Sequence, residues 1–291
     1  LYNLMKVVVL GGSGFIGSHL CDLLSSKGHK VNIFDIKKSK YKKKNQKMYI
    51  GSILDRKKLA LAIKGCDFVY HFAALADLGK ALNEPIKSVN LNILGTVQAL
   101  ELSRRYNIKR FVHASSIYVN SADGSFYRCS KKAAEDYVRE YKKNYNLSYT
   151  IIRFGSLYGR RADDTNGVRK IIKRAIAKGK LTYVGNRKSV REYINISDAA
   201  KACCEILKNK YKNKHIILTG TKKIKVFDFL NRLSKILNIS QKIEFRNLKF
   251  TGHYITIPYT YKPEKGVKFV FKSTSNFYKQ LPQLVNEIKR N

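Results

Sequence analysis

Long apolar runs are missing from this 291-residue chain; none approaches the roughly 20 residues that span a bilayer, so no membrane-crossing helix is expected. Cysteine is also sparse. Cys21, Cys66, Cys129, Cys203 and Cys204 make an odd set of five with no C-x-x-C spacing. That pattern excludes a disulfide framework and a zinc site, leaves no metal expected, and points to a reducing cytoplasm. The N-terminal LYNLMKVVVLGG runs straight into a glycine-rich turn and does not read as a signal peptide. No internal repeat is visible. Acidic residues are scarce: 20 Asp and Glu face 58 Lys and Arg, a formal charge of +38. Such an excess attracts anions, whether nucleic acid, a membrane surface or small anionic substrates. Most of the lysines are scattered and read as solvated faces. The densest block, KKSKYKKKNQK at 37–47, reads as a solvated loop with no dedicated partner.

What is present describes a folded protein. Apolar content of 44% and aromatic content of 11% exclude global disorder. The length suits one large α/β domain or two closely packed lobes. From residue 5 to about 155, β-branched runs alternate with amphipathic stretches of helical period. MKVVVLG, HKVNIFDI, KMYIGSI, DFVYHFAA, KRFVHASS and SYTIIRFGSLYG read as strands. Helices separate them, including a long one over PIKSVNLNILGTVQALELSRRYN and another over FYRCSKKAAEDYVREYKKNYN. Strands joined by helices imply right-handed crossovers, hence a doubly wound parallel sheet of Rossmann type. Past residue 156 the pattern loosens. Residues 1–155 are expected to form a dinucleotide-binding domain and 156–291 a smaller substrate lobe. Part of that lobe, about 190–220 with HIILTG, is expected to return to the main sheet. Pro282 requires the last helix, NFYKQLPQLVNEIKR, to start close to it or to kink.

Two stretches carry chemistry. In GGSGFIG, Gly11, Gly14 and Gly17 lie between the first strand and the first helix. Glycine there lets amide N–H groups approach a pyrophosphate, and the helix N-terminus adds partial positive charge. Asp35 ends the second strand, 18 residues beyond Gly17. A carboxylate at that place accepts hydrogen bonds from the adenosine ribose and repels a 2′-phosphate, favouring NAD over NADP; Lys37 and Lys38 work in the opposite direction.

The second stretch is FVHASSIYVNSADGSFYRCSKKAAEDY, residues 111–137. Its Tyr-x-x-x-Lys spacing is weak evidence alone, because 19 tyrosines in a Lys-rich chain produce such pairs by chance. Three occur: Tyr2/Lys6, Tyr127/Lys131 and Tyr261/Lys265. Only the middle pair opens a helix after a strand ending in Ser115 and Ser116. Four residues apart on a helix, Lys131 shares a face with Tyr127. A nearby cation favours the phenolate, as does a positive nicotinamide ring, so Tyr127 can act as a general base. A serine hydroxyl on the neighbouring strand can bond the same substrate oxygen.

With GSILD at 51–55, HFAA at 71–74, Asn90 in NLNILGT and REYINISDAA at 191–200, these motifs give the chain a resemblance to the extended short-chain dehydrogenase/reductases. Within them it is similar to the NAD-dependent nucleotide-sugar epimerases and dehydratases, over most of the chain to about residue 220. The resemblance implies that Gly11, Gly14, Phe15, Ile16 and Gly17 form the pyrophosphate turn. It places Asp35 on the ribose, Ile53 along the adenine, and Ala73 and Ala74 beside the nicotinamide half. It makes Ser116, rather than Ser115, the catalytic hydroxyl, Tyr127 the base and Lys131 its partner and a cofactor contact. Arg191 matches an arginine on the sugar-nucleotide diphosphate; otherwise it forms a structural ion pair. A homodimer through the stretches around 86–105 and 127–143 is implied as well.

The departures from the pattern narrow the reaction. Dehydratases of this kind carry an Asp-Glu pair directly after the catalytic serine or threonine. Here Ile117 and Tyr118 stand there and cannot exchange protons with ring substituents. Ser52 replaces an Asp near the adenine, Ser156 replaces an Asn that touches substrate, and only ten residues separate Ser116 from Tyr127. The expected activity is NAD-dependent epimerisation of a nucleotide-diphosphate sugar at C4. The alternatives are a reductase or dehydrogenase of a keto sugar or other carbonyl compound, and a nucleic-acid-binding protein on the same fold.

Overall fold

The computed structural model describes residues 4–121, 123–240, 243–246, 255 and 266–290. Eight strands form the main sheet: β1 Lys6–Leu10, β2 Lys30–Asp35, β3 Gln46–Ile50, β4 Phe68–His71, β5 Arg110–Ser116, β6 Tyr149–Phe154, β7 Lys214–Leu218 and β8 Gly266–Lys268. They lie in the order β8-β7-β6-β5-β4-β1-β2-β3, and every pairing is parallel. Val7, Val8, Val9 and Leu10 are fully buried. A continuous apolar strand of this kind needs cover on both faces, as parallel sheets have.

Each face has its own core. On one, Val7, Val9 and Val31 pack with Leu20 and Leu24 of the Phe15–Ser26 helix and with Ala199 and Cys203 of the Ile196–Glu205 helix. The Tyr70 hydroxyl crosses to this layer and donates to the Cys203 carbonyl at 2.6 Å. On the other, Val8, Leu10 and Val69 meet Leu59, Leu100 and Val138 from the Arg56–Ile63, Gly95–Arg105 and Ser125–Tyr145 helices. A third core lies in the C-terminal half, where Ile172, Leu181, Phe229, Leu233, Phe277 and Leu281 pack together. Tyr193 stacks on Phe277 there, with centroids 4.6 Å apart.

Three features differ from the sequence reading. FGSLYG does not extend β6: Ser156–Tyr158 forms a separate short ladder with Tyr193–Asn195. The long helix over 86–105 is broken by a π-turn at Val89–Leu94. The tail adds an eighth strand, with β8 beside β7 in register His215↔Gly266. Pro282, which requires the last helix to start close to it or to kink, lies inside the Phe277–Lys289 helix. The lysine block is pinned from beneath: the Gln46 side-chain amide donates to the Cys21 carbonyl at 3.1 Å and to Ser25 Oγ at 2.9 Å. Among the described residues no helix is long and apolar enough to cross a membrane.

Candidate active site

The strand order reverses beside β1, which lies between β2 and β4. Ligands of doubly wound sheets bind outside the strand carboxyl ends at such a switch point. Here the chain leaves β1 through Gly11, whose φ is +86°. A Cβ on Gly11 would lie 2.6 Å from the Ala73 amide nitrogen, and one on Gly17 would lie 2.2 Å from the Gly11 carbonyl oxygen. Neither position admits a side chain, so the turn, the first helix and the segment after β4 approach backbone to backbone. Gly14 caps the Phe15–Ser26 helix without a side-chain hydrogen bond. The amides of the first helical turn are thus left facing outward, a cradle that suits an anion. Ile16 packs on the core and Phe15 lies edge-on to His19.

Asp35 closes β2 beside this turn. Its carboxylate accepts from the Ser13 amide at 3.0 Å and from the Lys37 amide at 3.3 Å, while the Ser13 hydroxyl donates to the Lys37 carbonyl at 2.8 Å. These bonds fix the acid at the mouth of the turn. Ile53 is only 4% exposed and stands 2.8 Å from where a Gly95 Cβ would be, so most of its surface belongs to the core. The Ser52 hydroxyl accepts from the Leu54 amide at 3.2 Å.

Ala73 and Ala74 are held by a clamp that sequence reasoning missed. Buried Asn92, inside the π-turn, accepts from the Leu75 amide at 2.7 Å and donates to the Leu75 carbonyl at 3.0 Å. It also donates to Ser130 Oγ at 2.9 Å, next to Lys131. One side chain thereby ties the segment after β4 to the helix that carries Tyr127. The wider turn accommodates it, a frequent use of π-bulges. Asn90, the residue on which the resemblance was placed, is exposed. The N-x-x-G-T spacing to Gly95 and Thr96 was the available signal for Asn92.

Ser116 is the last residue of β5, and Tyr127 and Lys131 lie on the first turns of the Ser125–Tyr145 helix that packs on it. The structure brings these three together. Lys131 is 4% exposed and donates from Nζ to the Ala114 carbonyl at 2.9 Å. Its ammonium is 6.0 Å from the Tyr127 ring centroid. Burial lowers the Lys131 pKa to about 8, with the negative charge of Glu135 opposing the fall. Burial raises the Tyr127 phenol to about 12, opposed by hydrogen bonding with Ser116. The Ser115 hydroxyl is buried without a partner. Of the other two Tyr-x-x-x-Lys pairs, Tyr2 and both Tyr261 and Lys265 lie outside the described residues.

The residues at the dehydratase positions are placed for packing. Buried Ile117 contacts Ile217, and Tyr118 lies edge-on to Tyr127 with centroids 6.3 Å apart. Ser156 begins the short strand just after β6, paired with Tyr193. Arg191, two residues earlier, is buried and donates to the Val190 carbonyl at 2.8 Å and to the Tyr183 hydroxyl at 3.4 Å.

A parallel sheet with a side-chain-free turn at its switch point, and a Ser-Tyr-Lys set two strands away, defines a dinucleotide-binding Rossmann protein of the short-chain dehydrogenase/reductase type. The sequence profile of the NAD dependent epimerase/dehydratase family matches residues 7–220, and the chain belongs to that family. A dTDP-D-glucose 4,6-dehydratase of Dictyostelium discoideum is 30% identical over 278 residues, covering 81% of this chain and 62% of that protein. A UDP-glucose 4-epimerase of Lactobacillus helveticus is 26% identical over 303 residues, covering 90% and 86%. The fold is shared with a UDP-glucose 4-epimerase of Thermotoga maritima solved with UDP-glucose. That structure matches at a TM-score of 0.82 and 22% identity, over 98% of this chain and 99% of the other.

Proposed function

We propose that the chain epimerises a nucleotide-diphosphate sugar at C4 through a transient 4-keto sugar, with NAD as a resident cofactor. One observation carries the choice of epimerase: Ser116, Tyr127 and Lys131 converge, while the two positions after Ser116 hold a buried alkyl chain and a ring packed on Tyr127. The set can move a proton on and off a sugar hydroxyl. Ile117 and Tyr118 cannot eliminate water from the ring.

NAD, when bound, accepts and returns the hydride and brings a positive nicotinamide charge. In this structure burial holds Tyr127 protonated at neutral pH. The Lys131 ammonium and the cofactor's positive charge together draw it towards the phenolate that takes the C4 hydroxyl proton. Ser116 donates to the same sugar oxygen and holds it in line. Gly11, Gly14, Phe15, Ile16 and Gly17 hold the pyrophosphate. Asp35 takes the adenosine ribose, which selects NAD over NADP. Ile53, Ala73 and Ala74 line the cofactor, and Ser156 and Arg191 receive the sugar and its diphosphate. After the keto sugar turns over, Tyr127 returns the proton and the inverted sugar leaves.

The same reading includes a homodimer. Ile86, Val89 and Leu94 are exposed around one helix and Phe126 and Tyr137 along the other. It also includes a reducing, cytoplasmic setting, in keeping with five free cysteines. The deciding experiment incubates the protein with UDP- and dTDP-hexoses and hexuronates and follows the sugars by NMR. C4 inversion at constant NAD supports the proposal. Stoichiometric NADH consumption on keto sugars assigns a reductase instead. A salt-sensitive shift of RNA without NAD binding assigns a nucleic-acid-binding protein.

A further inference from the structure

Behind the Ser116–Tyr127–Lys131 edge lies a buried charge cluster that the proposed chemistry does not use. Glu135 is one helical turn beyond Lys131, on the same face of the Ser125–Tyr145 helix. It is 1% exposed. Its Oε1 accepts from Arg153 Nε at 3.0 Å and its Oε2 from Arg153 Nη2 at 2.7 Å. Arg153 projects from β6 and is itself buried. Its Nη2 also lies 3.2 Å from His215 Nδ1, on β7.

The last contact sets a protonation state. A guanidinium only donates, so His215 Nδ1 must be the bare acceptor and the ring proton must sit on Nε2. That nitrogen is 3.4 Å from the Tyr149 hydroxyl. His215 is therefore neutral, and its Nδ1, 3.8 Å from Glu135, makes no hydrogen bond to the carboxylate. Among the described residues the cluster contains two buried cations, Lys131 and Arg153, and a single carboxylate, Glu135.

Apolar side chains of similar volume commonly match or exceed the stability of a buried ion pair. The position of this one gives it a different consequence. The ammonium of Lys131 donates to a neutral carbonyl, that of Ala114. The imidazoles near it on β4 and β5, His71 and His113, are kept neutral by burial, and the Lys131 charge lowers both further. Glu135 is thus the negative group acting on Lys131. Arg153 holds the carboxylate on two sides, while the ammonium donates to Ala114 beside Tyr127.

We propose that Glu135 is a positioning residue whose carboxylate, locked by an Arg153 that neutral His215 holds in turn, keeps the Lys131 ammonium charged beside Tyr127. The inference rests on the reading of Tyr127 and Lys131 as the proton-transfer pair.

The test follows the side-chain titration of Lys131 by NMR in the full chain labelled at lysine Cε. Its resonance is identified as the one lost in Lys131→Met. In Glu135→Gln the Lys131 midpoint is expected to fall by about one pH unit, a tenfold loss of proton affinity. The alkaline limb of kcat should move down with it, while Glu135→Asp, which keeps the charge, leaves both nearly in place. Should the lone buried Arg153 cation prevent folding of Glu135→Gln, the double variant Glu135→Gln/Arg153→Met removes both charges, and a smaller fall in the same direction is expected because a repelling cation goes with the carboxylate. An unchanged Lys131 midpoint in either folded variant overturns the proposal. Full activity of Tyr127→Phe would instead overturn the catalytic reading and leave the titration result standing.

Discussion

The glycine turn after β1 and the Ser116–Tyr127–Lys131 edge of β5 lie two strands apart and are built in opposite ways. In the turn the working atoms are backbone amides, and side chains contribute by being absent: a Cβ on Gly17 would meet a carbonyl oxygen at 2.2 Å. At the edge the working atoms are side-chain groups whose protonation is set by burial, Lys131 at about 8 and Tyr127 at about 12. The turn should therefore be intolerant of a single added carbon yet indifferent to pH. The edge should accept isosteric changes of shape while depending strongly on pH and charge.

The sharpest break is expected at the edge. Tyr127→Phe keeps the ring and removes the proton carrier, so kcat for C4 inversion should fall about a thousandfold. NAD affinity, measured by calorimetry, should stay within about twofold, since the turn is untouched. Equal loss of both would mean that the two regions are not separable. Next comes Gly17→Ala, for which NAD affinity should fall about a hundredfold at every pH because backbone cannot yield to the methyl group. Gly14→Ala is the control. Its Cβ meets the Gly11 carbonyl at 3.2 Å, and the loss should be less than about tenfold. A larger effect at Gly14 would refute the crowding argument.

Lys131→Met tests charge against stability. The ordinary lysine value is 10.5 and the folded value is about 8. Between them the unfolded chain binds more protons, so wild-type stability rises with pH across that window. Below it, the buried charge is a constant destabilisation. The methionine variant should be more stable at pH 7 by on the order of 1–3 kcal/mol in urea unfolding, and the difference should shrink towards pH 10. A variant less stable than wild type at pH 7 would show that the Ala114 hydrogen bond outweighs the cost of burial. The smallest effect is expected for Asp35→Asn. NAD binding should weaken about tenfold, with the preference over NADP reduced by a similar factor. An unchanged preference would assign cofactor choice to Lys37 and Lys38.

Much of this was legible in the chain because period and spacing report local geometry. The alternation of strands and helices announced a doubly wound parallel sheet, and the glycine spacing announced a turn that opens a helix. Tyr127 and Lys131 share a helix face for the same reason. Other parts were not legible. Asn92 works through Leu75 and Ser130, 17 and 38 residues away, and a π-turn is invisible to a 3.6-residue period. The eighth strand was not legible, since three residues at a sheet edge carry too little pattern to specify a pairing.

Local rules written in the residue order were sufficient for the parallel alternation, the place of the glycine turn and the shared helix face of Tyr127 and Lys131, because each depends on neighbours within a few positions. The protonation states of that pair belong to the assembled fold. Lys131 falls to about 8 because strands and helices from distant parts of the chain exclude water from it. Glu135, Arg153 and His215 meet only when the Ser125–Tyr145 helix packs beside β6, the neighbour of β7. Desolvation and long-range charge have no period, and the packed tertiary structure decides them.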